Sequence, residues 1–145
     1  VLNNKVEYRQ LDLSSSDQVN QLIATISKEY TQLNGILHCA GMTLDNFILK
    51  KTSDEFSKVL TPKVTGTFNL DQASKDIDLD FLVLFSSVVS QIGNVGQSDY
   101  AVANGFMDQF AGYRNRLVLD DQRQGHTLSI NWPLWQDGGM QIDQE

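Results

Sequence analysis

The sequence predicts an α/β fold, a parallel sheet with flanking helices, on two observations: short apolar runs alternate with longer segments of helical period, and helix-capping residues stand at the junctions. Composition agrees. The 145 residues are 41% hydrophobic and 20% charged, with two prolines and ten glycines, which suits one globular domain and carries no bias toward disorder.

Residues 5–11, with Val6 and Tyr8 in alternation, read as a strand. Ser14, Ser15, Ser16 and Asp17 then offer N-cap chemistry, with Gln18 three after Ser15 in capping-box spacing. The helix that follows sets Val19, Leu22, Ile23, Ile26, Tyr30 and Leu33 at steps of three and four, one apolar stripe for a sheet, and Gly35 ends the unit. Residues 36–39 form the next strand and run directly into Ala40-Gly41. Thr52-Ser53-Asp54-Glu55 opens a second helix, again with a glutamate three after its cap, and Phe56, Val59, Leu60, Val64, Thr67 and Phe68 supply its stripe. Pro62 lacks an amide hydrogen and is expected to kink or loosen that helix. Residues 81–85 are all apolar, as a central parallel strand buried on both faces requires. Ser98 or Asp99 is expected to cap a third helix carrying Tyr100, Ala103, Met107, Phe110 and Leu117. Residues 127–131 make the last strand, with His126 exposed at its start and an irregular tail from Trp132.

The order β-α-β-α-β-α-β is Rossmann-like, with ligands expected at the carboxyl ends of the strands. No Gly-x-Gly-x-x-Gly follows any of these strands, so the turn that cradles a diphosphate is not among the 145 residues. In the strand order 3-2-1-4-5-6, two absent strands would separate residues 5–11 from residues 36–39. The expectation is therefore a Rossmann-like sheet lacking its first β-α-β unit.

Charge and cysteine usage exclude several classes. Eleven Lys and Arg against 18 Asp and Glu give a net charge of -7, which repels phosphate backbones, so nucleic acid is not an expected partner. The longest apolar stretch, residues 81–85, is far short of a membrane span, and no signal segment opens the chain; a cytoplasmic protein is expected. Cys39 stands alone, so neither an internal disulfide nor a cysteine-based metal site is expected, and Cys39 itself reads as a buried small hydrophobe.

Three clusters fall at strand ends: Asp12-Leu13, His38-Cys39-Ala40-Gly41 and Ser86-Ser87. Ser87 precedes Tyr100 by 13 residues, and Asn104 follows Tyr100 by four, on the same helix face. Such a set can reduce a carbonyl. Hydride addition to a ketone leaves negative charge growing on oxygen, which a serine hydroxyl can hydrogen-bond and a tyrosine hydroxyl can protonate. An unperturbed tyrosine has a pKa of about 10, so a cation that favours the tyrosinate is useful. Lys63, on the edge of an apolar stripe, is the candidate. Each residue also has a plain reading: a tyrosine at a helix start is ordinarily packing, Ser-Ser after a strand is ordinarily a cap, and His38 is ordinarily a packed residue. Their joint spacing favours chemistry.

The runs Leu84-Phe85-Ser86-Ser87, Gly93-x-x-Gly96-Gln97-x-x-Tyr100-Ala101-x-Ala103-Asn104, Pro62-Lys63-Val64-x-Gly66-Thr67 and His38-x-Ala40-Gly41 resemble the ketoreductase domain of modular polyketide synthases, a branch of the short-chain dehydrogenase/reductases. The likeness runs from about Asp12 to Trp135. Ordinary members of the superfamily place the lysine four after the tyrosine; here Asn104 stands there and Lys63 lies upstream, an exchange that marks this branch. The resemblance implies Tyr100 as proton donor, Ser87 as oxygen-orienting donor, Lys63 tuning Tyr100, and Asn104 supporting a proton relay. It further implies NADPH as cofactor, with Asp12 and Leu13 flanking the adenine, the Ala40-Gly41 backbone close to the ribose, His38 beside that turn, Ser86 and Pro133 toward the nicotinamide end, and Lys63 and Tyr100 among the other cofactor-binding residues. The implied substrate is a β-ketoacyl thioester on the phosphopantetheine of an acyl carrier protein, and the implied partners are neighbouring synthase domains and the amino-terminal part of the ketoreductase. Asp45, in Leu44-Asp45-Asn46, resembles the second aspartate of the motif that marks B-type enzymes, although one position late, and Ile92 stands where A-type enzymes carry tryptophan; the implied alcohol is D-configured (R). Gln97 and Trp132 are expected near the substrate, and Trp132 to Trp135 with Gly138-Gly139-Met140 resembles synthases whose acyltransferase acts in trans. Two other readings stand beside this one: a catalytically silent structural or carrier-docking module, and a short-chain reductase acting on a free ketone.

Overall fold

A computed structural model describes residues 6–135. Its elements run α1 (Ser16–Glu29), β1 (Gly35–His38), α2 (Ser53–Ala73), β2 (Phe81–Ser87), α3 (Val89–Ile92), α4 (Ser98–Leu119) and β3 (His126–Trp132). The strands form one parallel sheet in the order β1-β2-β3, with Ile36 opposite Leu82 and Ser87 opposite Trp132. Parallel neighbours need long crossovers, which α2 and α4 supply.

Helix starts follow local chemistry. Ser15 caps α1 by accepting from the Gln18 amide, but the Gln18 side chain accepts from Asp12 N at 2.9 Å instead of closing a box. Thr52 and Glu55 do form the reciprocal capping box at α2. Pro62 sits inside α2, which runs unbroken from Ser53 to Ala73. The cap of α4 is Gln97, with no side-chain bond, so Ser98 and Asp99 lie in the first turn and neither is the cap. Gly96, at φ +80°, turns the chain into that start.

Residues 6–11 are not a strand: Val6 and Tyr8 are 89% and 87% exposed. A strand needs a neighbour for its amides and carbonyls, and no described strand lies beside this segment. Glu7 instead accepts from the Tyr30 hydroxyl at 2.8 Å. Helix α1 stops at Glu29, so Tyr30 and Leu33 fall beyond it, and Gly35 opens β1 instead of closing the preceding unit.

The core gathers Leu82 and Leu84 of β2 with Met107, Phe110 and Ala111 of α4. Strand β2 is central, as expected, but among the described residues only one of its faces is well covered. Leu82 and Leu84 are fully buried, whereas Phe81, Leu37 and Leu128 on the other face remain substantially exposed. Cys39 follows His38 on that open side and is exposed, which corrects its expected burial. In α2, Phe68 points outward, and the buried positions are Val59, Lys63, Gly66, Thr67, Asn69, Leu70 and Asp71. That polar set is buried because hydrogen bonds satisfy it, tertiary ones for Lys63, Asn69 and Asp71 and the Lys63 carbonyl of the same helix for Thr67.

Candidate active site

The carboxyl end of β2 is where α2 and α4 converge. Lys63, only 3% exposed, extends from α2 and donates from Nζ to the Phe85 carbonyl at 2.7 Å. The same ammonium lies 5.8 Å from the centroid of the Tyr100 ring, within cation–π range, and 3.6 Å from Met107 Sδ. Burial lowers the Lys63 pKa to about 8. Gly41 lies against this side chain: a Cβ there would come within 2.8 Å of Lys63 Cε.

Asn104 is fully buried on α4 and donates from Nδ2 to the Tyr100 carbonyl at 2.7 Å. Its Oδ1 has no hydrogen-bond partner among the described residues. Ser86 Oγ donates to the Asn104 carbonyl at 3.2 Å, tying β2 to α4. Ser87 Oγ accepts from the Val89 amide at 3.2 Å, the cap-like bond of a strand-end serine, and no bond among the described residues takes up its own hydrogen, which a hydroxyl can still donate. Lys63, Ser86, Tyr100 and Asn104 are thus brought together through Phe85 and Asn104, with Ser87 one residue further along β2.

His38 is 2% exposed and packs on α2, its Nε2–H donating to the Pro62 carbonyl at 3.1 Å. Burial, then the charge of Lys63, lowers its pKa to about 4, so it is neutral at pH 7 and suited to packing more than to base catalysis. Leu13 Cβ lies 3.2 Å from where a Cβ on Gly66 would sit, and the Leu13 carbonyl accepts from Asn69 Nδ2 at 2.8 Å. Asp12 folds into a turn in which its carboxylate accepts from the Ser14 amide, a bond that lowers its pKa. A shallow cleft of about 400 Å³ opens here, lined by Leu11, Asp12, Leu13, Ala40, Met42 and Pro62. For a dinucleotide this flank fits: apolar walls and a capped carboxylate at the carboxyl end of a sheet. The diphosphate cradle is not in the sequence. Among the described residues, no three His, Cys, Asp or Glu side chains gather as a metal site.

Asp45 and Gln97 meet: Gln97 Nε2 donates to Asp45 Oδ2 at 2.8 Å. After Asp45, Phe47 to Lys51 make a single turn, with the Lys50 and Lys51 amides donating to the Phe47 carbonyl. Trp132 is half-buried and stacks near Phe85 and edge-on to Trp135, and Pro133 is exposed. Gly138-Gly139-Met140 lies outside the described residues.

Sequence reasoning missed four polar residues. Asp108 accepts from Ser129, Ser90, Gln91 and Asn131, and Asn131 Nδ2 also donates to the Ser87 carbonyl at 3.1 Å. Burial raises the Asp108 pKa, but these hydrogen bonds outweigh it and hold the carboxylate ionised below its usual range. Its position four after Asn104, on the same helix face, is the signal that finds it. Lys51 and Asp99 form a buried ion pair of 2.6 Å beside Tyr100. Nothing local in the sequence links those two positions.

The model of the KR domain family matches residues 2–137. Polyketide synthase PksN of Bacillus subtilis (strain 168) is 56% identical over 140 residues, 97% of this chain and 3% of its own length. Polyketide synthase PksL of the same organism is 51% identical over 138 residues, 95% of this chain and 3% of its own length. Among solved structures, a ketoreductase domain from the bacillaene assembly line superposes with a TM-score of 0.92 at 51% identity, covering 95% of this chain and 33% of that one. The chain thus spans about 3% of the length of these synthases and a third of that ketoreductase. Taken with the convergence of Lys63, Tyr100 and Asn104 on β2, these matches establish that the chain belongs to the ketoreductase (KR) domain family of polyketide synthases.

Proposed function

We propose that this chain carries the catalytic residues of an NADPH-dependent reductase that converts the β-keto group of a polyketide intermediate, held by thioester on an acyl carrier protein, to a D-configured (R) hydroxyl. One observation carries the reading: the lysine beside the Tyr100 ring comes from α2, is 3% exposed and is pinned by the Phe85 carbonyl. A solvating lysine has no reason to enter that site.

Hydride delivery to the ketone carbon is the chemistry NADPH supplies when bound. Tyr100 gives its hydroxyl proton to the ketone oxygen, and Ser87 Oγ donates a hydrogen bond to that oxygen as charge grows there. Lys63, charged below about pH 8, favours the tyrosinate left behind. Asn104 offers Oδ1, a buried acceptor without a described partner, to a proton relay toward Tyr100. On the cofactor side, Asp12 and Leu13 take the adenine, Ala40 and Gly41 the ribose, and Ser86 with Pro133 the nicotinamide end, while His38 supports that wall by packing. Asp45 and Gln97, joined by their hydrogen bond, and Trp132 face the substrate and set its orientation. We assign the glycine-rich diphosphate turn to a β-α-β unit preceding Val1, so that these 145 residues are the carboxyl-terminal part of the catalytic domain, working beside other domains of a cytoplasmic synthase.

The test uses the complete ketoreductase domain with a carrier-bound β-ketoacyl thioester and NADPH. Tyr100→Phe is expected to lower turnover by about a hundredfold or more, the scale of a lost general acid, and a smaller loss removes Tyr100 from that role. An L-alcohol product contradicts the role given to Asp45. The cap-like bond of Ser87 to Val89 favours, as the rival, a silent docking module, for which the unaltered domain reduces nothing. Equal turnover of free ketones and carrier-bound substrate points to the free-ketone reductase.

A further inference from the structure

Lys51 and Asp99 are both almost wholly buried, at 2% and 0% side-chain exposure, and neither belongs to the machinery described above. Lys51 Nζ pairs with Asp99 Oδ2 at 2.6 Å and donates to the Leu44 carbonyl at 2.5 Å. The other carboxylate oxygen, Asp99 Oδ1, accepts from the Tyr100 amide at 2.9 Å. Lys51 itself directly precedes Thr52, whose capping box fixes the start of α2. One ion pair therefore joins the start of the Lys63 helix, the segment bearing Asp45 and the first turn of the Tyr100 helix.

Among the described residues, few other hydrogen bonds hold that segment. Phe47, Ile48 and Leu49 at its tip are 60%, 66% and 96% exposed. Two further bonds fix its base: the Asn46 amide donates to the Gly96 carbonyl at 2.9 Å, and Asp45 accepts from Gln97 across an exposed 2.8 Å contact. Exposed polar contacts are weakened by water and salt, whereas a desolvated pair keeps its strength. A buried ion pair also stabilises a fold little compared with apolar residues of the same shape, so its presence argues for register more than for stability.

We propose that Lys51 and Asp99 are positioning residues that clamp the Asp45 segment against the Tyr100 helix and so fix which face of the ketone meets the cofactor. The proposal rests on the ketoreductase reading for its stereochemical consequence, but the clamp itself is read independently of activity. In the complete domain, Lys51→Met with Asp99→Leu replaces the pair by apolar residues of similar shape and is expected to unfold within a few degrees of the unaltered protein, by about the margin seen for such exchanges. Amide hydrogen exchange over residues 44–50 is expected to rise about tenfold while α2 and α4 keep their protection, the signature of a locally loosened segment. With β-ketoacyl thioester and NADPH, the ratio of product enantiomers is expected to fall about tenfold and KM to rise with kcat within about threefold, whereas Lys51→Arg keeps both near the original. If the double variant does not fold, Asp99→Asn, which keeps an oxygen for the Tyr100 amide, carries the same measurements. Unchanged exchange over residues 44–50 in a folded variant overturns the clamp, and so does an unchanged enantiomer ratio with loosened exchange. An unaltered domain that reduces nothing defeats the ketoreductase reading alone, because the exchange measurement still decides the clamp.

Discussion

Helix α4 is pinned near each end by a buried charge, and the two pins differ in construction. Near its carboxyl end, Arg114 is fully buried and donates to Asp71 Oδ1, the Gly125 and Gln124 carbonyls and Thr127 Oγ1, all at 2.8 to 2.9 Å, with Arg123 adding a second fork to Asp71. At the amino end a single lysine meets Asp99. A guanidinium fills a fixed fork of acceptors and locks several chain segments at once; an ammonium is a point charge that leaves one contact to the acid. The first cluster lies where β3 begins, remote from Lys63 and Tyr100. The second touches the Tyr100 amide. Similar ingredients thus serve the fold at one end and the reaction geometry at the other.

The sharpest way to break this contrast is Arg114→Met. It leaves Asp71 with Arg123 as its one remaining arginine and takes the Arg114 donors from two backbone carbonyls and Thr127, so unfolding free energy is expected to fall by about 3–5 kcal/mol. In domain that remains folded, the enantiomer ratio should not move; a changed ratio would erase the distinction between the two pins. A smaller loss is expected for Gly125→Ala at the same end. Gly125 has φ +77° and its Cβ would approach the Leu79 carbonyl oxygen to 2.5 Å, so chemical denaturation should report a loss of about 1–3 kcal/mol.

At the reactive end, pH separates stability from turnover. The folded chain holds the Lys63 pKa at about 8 against 10.5 for the free side chain, so the unfolded state binds more protons between those values and this residue's contribution to stability rises with pH across that window. Activity has the opposite sign. The charge that favours the tyrosinate is lost above about pH 8, and kcat/KM is expected to fall about tenfold per pH unit there, with Lys63→Met flattening that limb. A limb that survives in Lys63→Met belongs to another group. Least of all, Gln97→Ala removes an exposed bond to Asp45 and should change stability by no more than about 0.5 kcal/mol.

Local chemistry was legible in the sequence where a feature closes within a few residues. Thr52 with Glu55 and Ser15 with the Gln18 amide are visible as spacings, as are the apolar run that became β2 and the placement of Tyr100 and Asn104 on one face. Lys63 was found because a charge at the edge of an apolar stripe asks for a reason. What escaped depends on partners distant in sequence. Residues 6–11 have strand-like alternation, but a strand is made by its neighbour. Asp99 resembles a cap until Lys51, 48 positions away, claims it. Phe68 looks like core, yet the buried face of α2 holds Asn69 and Asp71 because Leu13, Arg114 and Arg123 supply their bonds. Four residues made α3 without any periodic signature.

The close approach of Gly41 to Lys63 ties two distant positions together. A methyl at position 41 would collide with Lys63 Cε, and a side chain pinned to the Phe85 carbonyl cannot withdraw without giving up that bond. The two positions, 22 residues apart in the sequence, are therefore coupled: a side chain at position 41 would press on the Lys63 stem and loosen its hold on the Phe85 carbonyl.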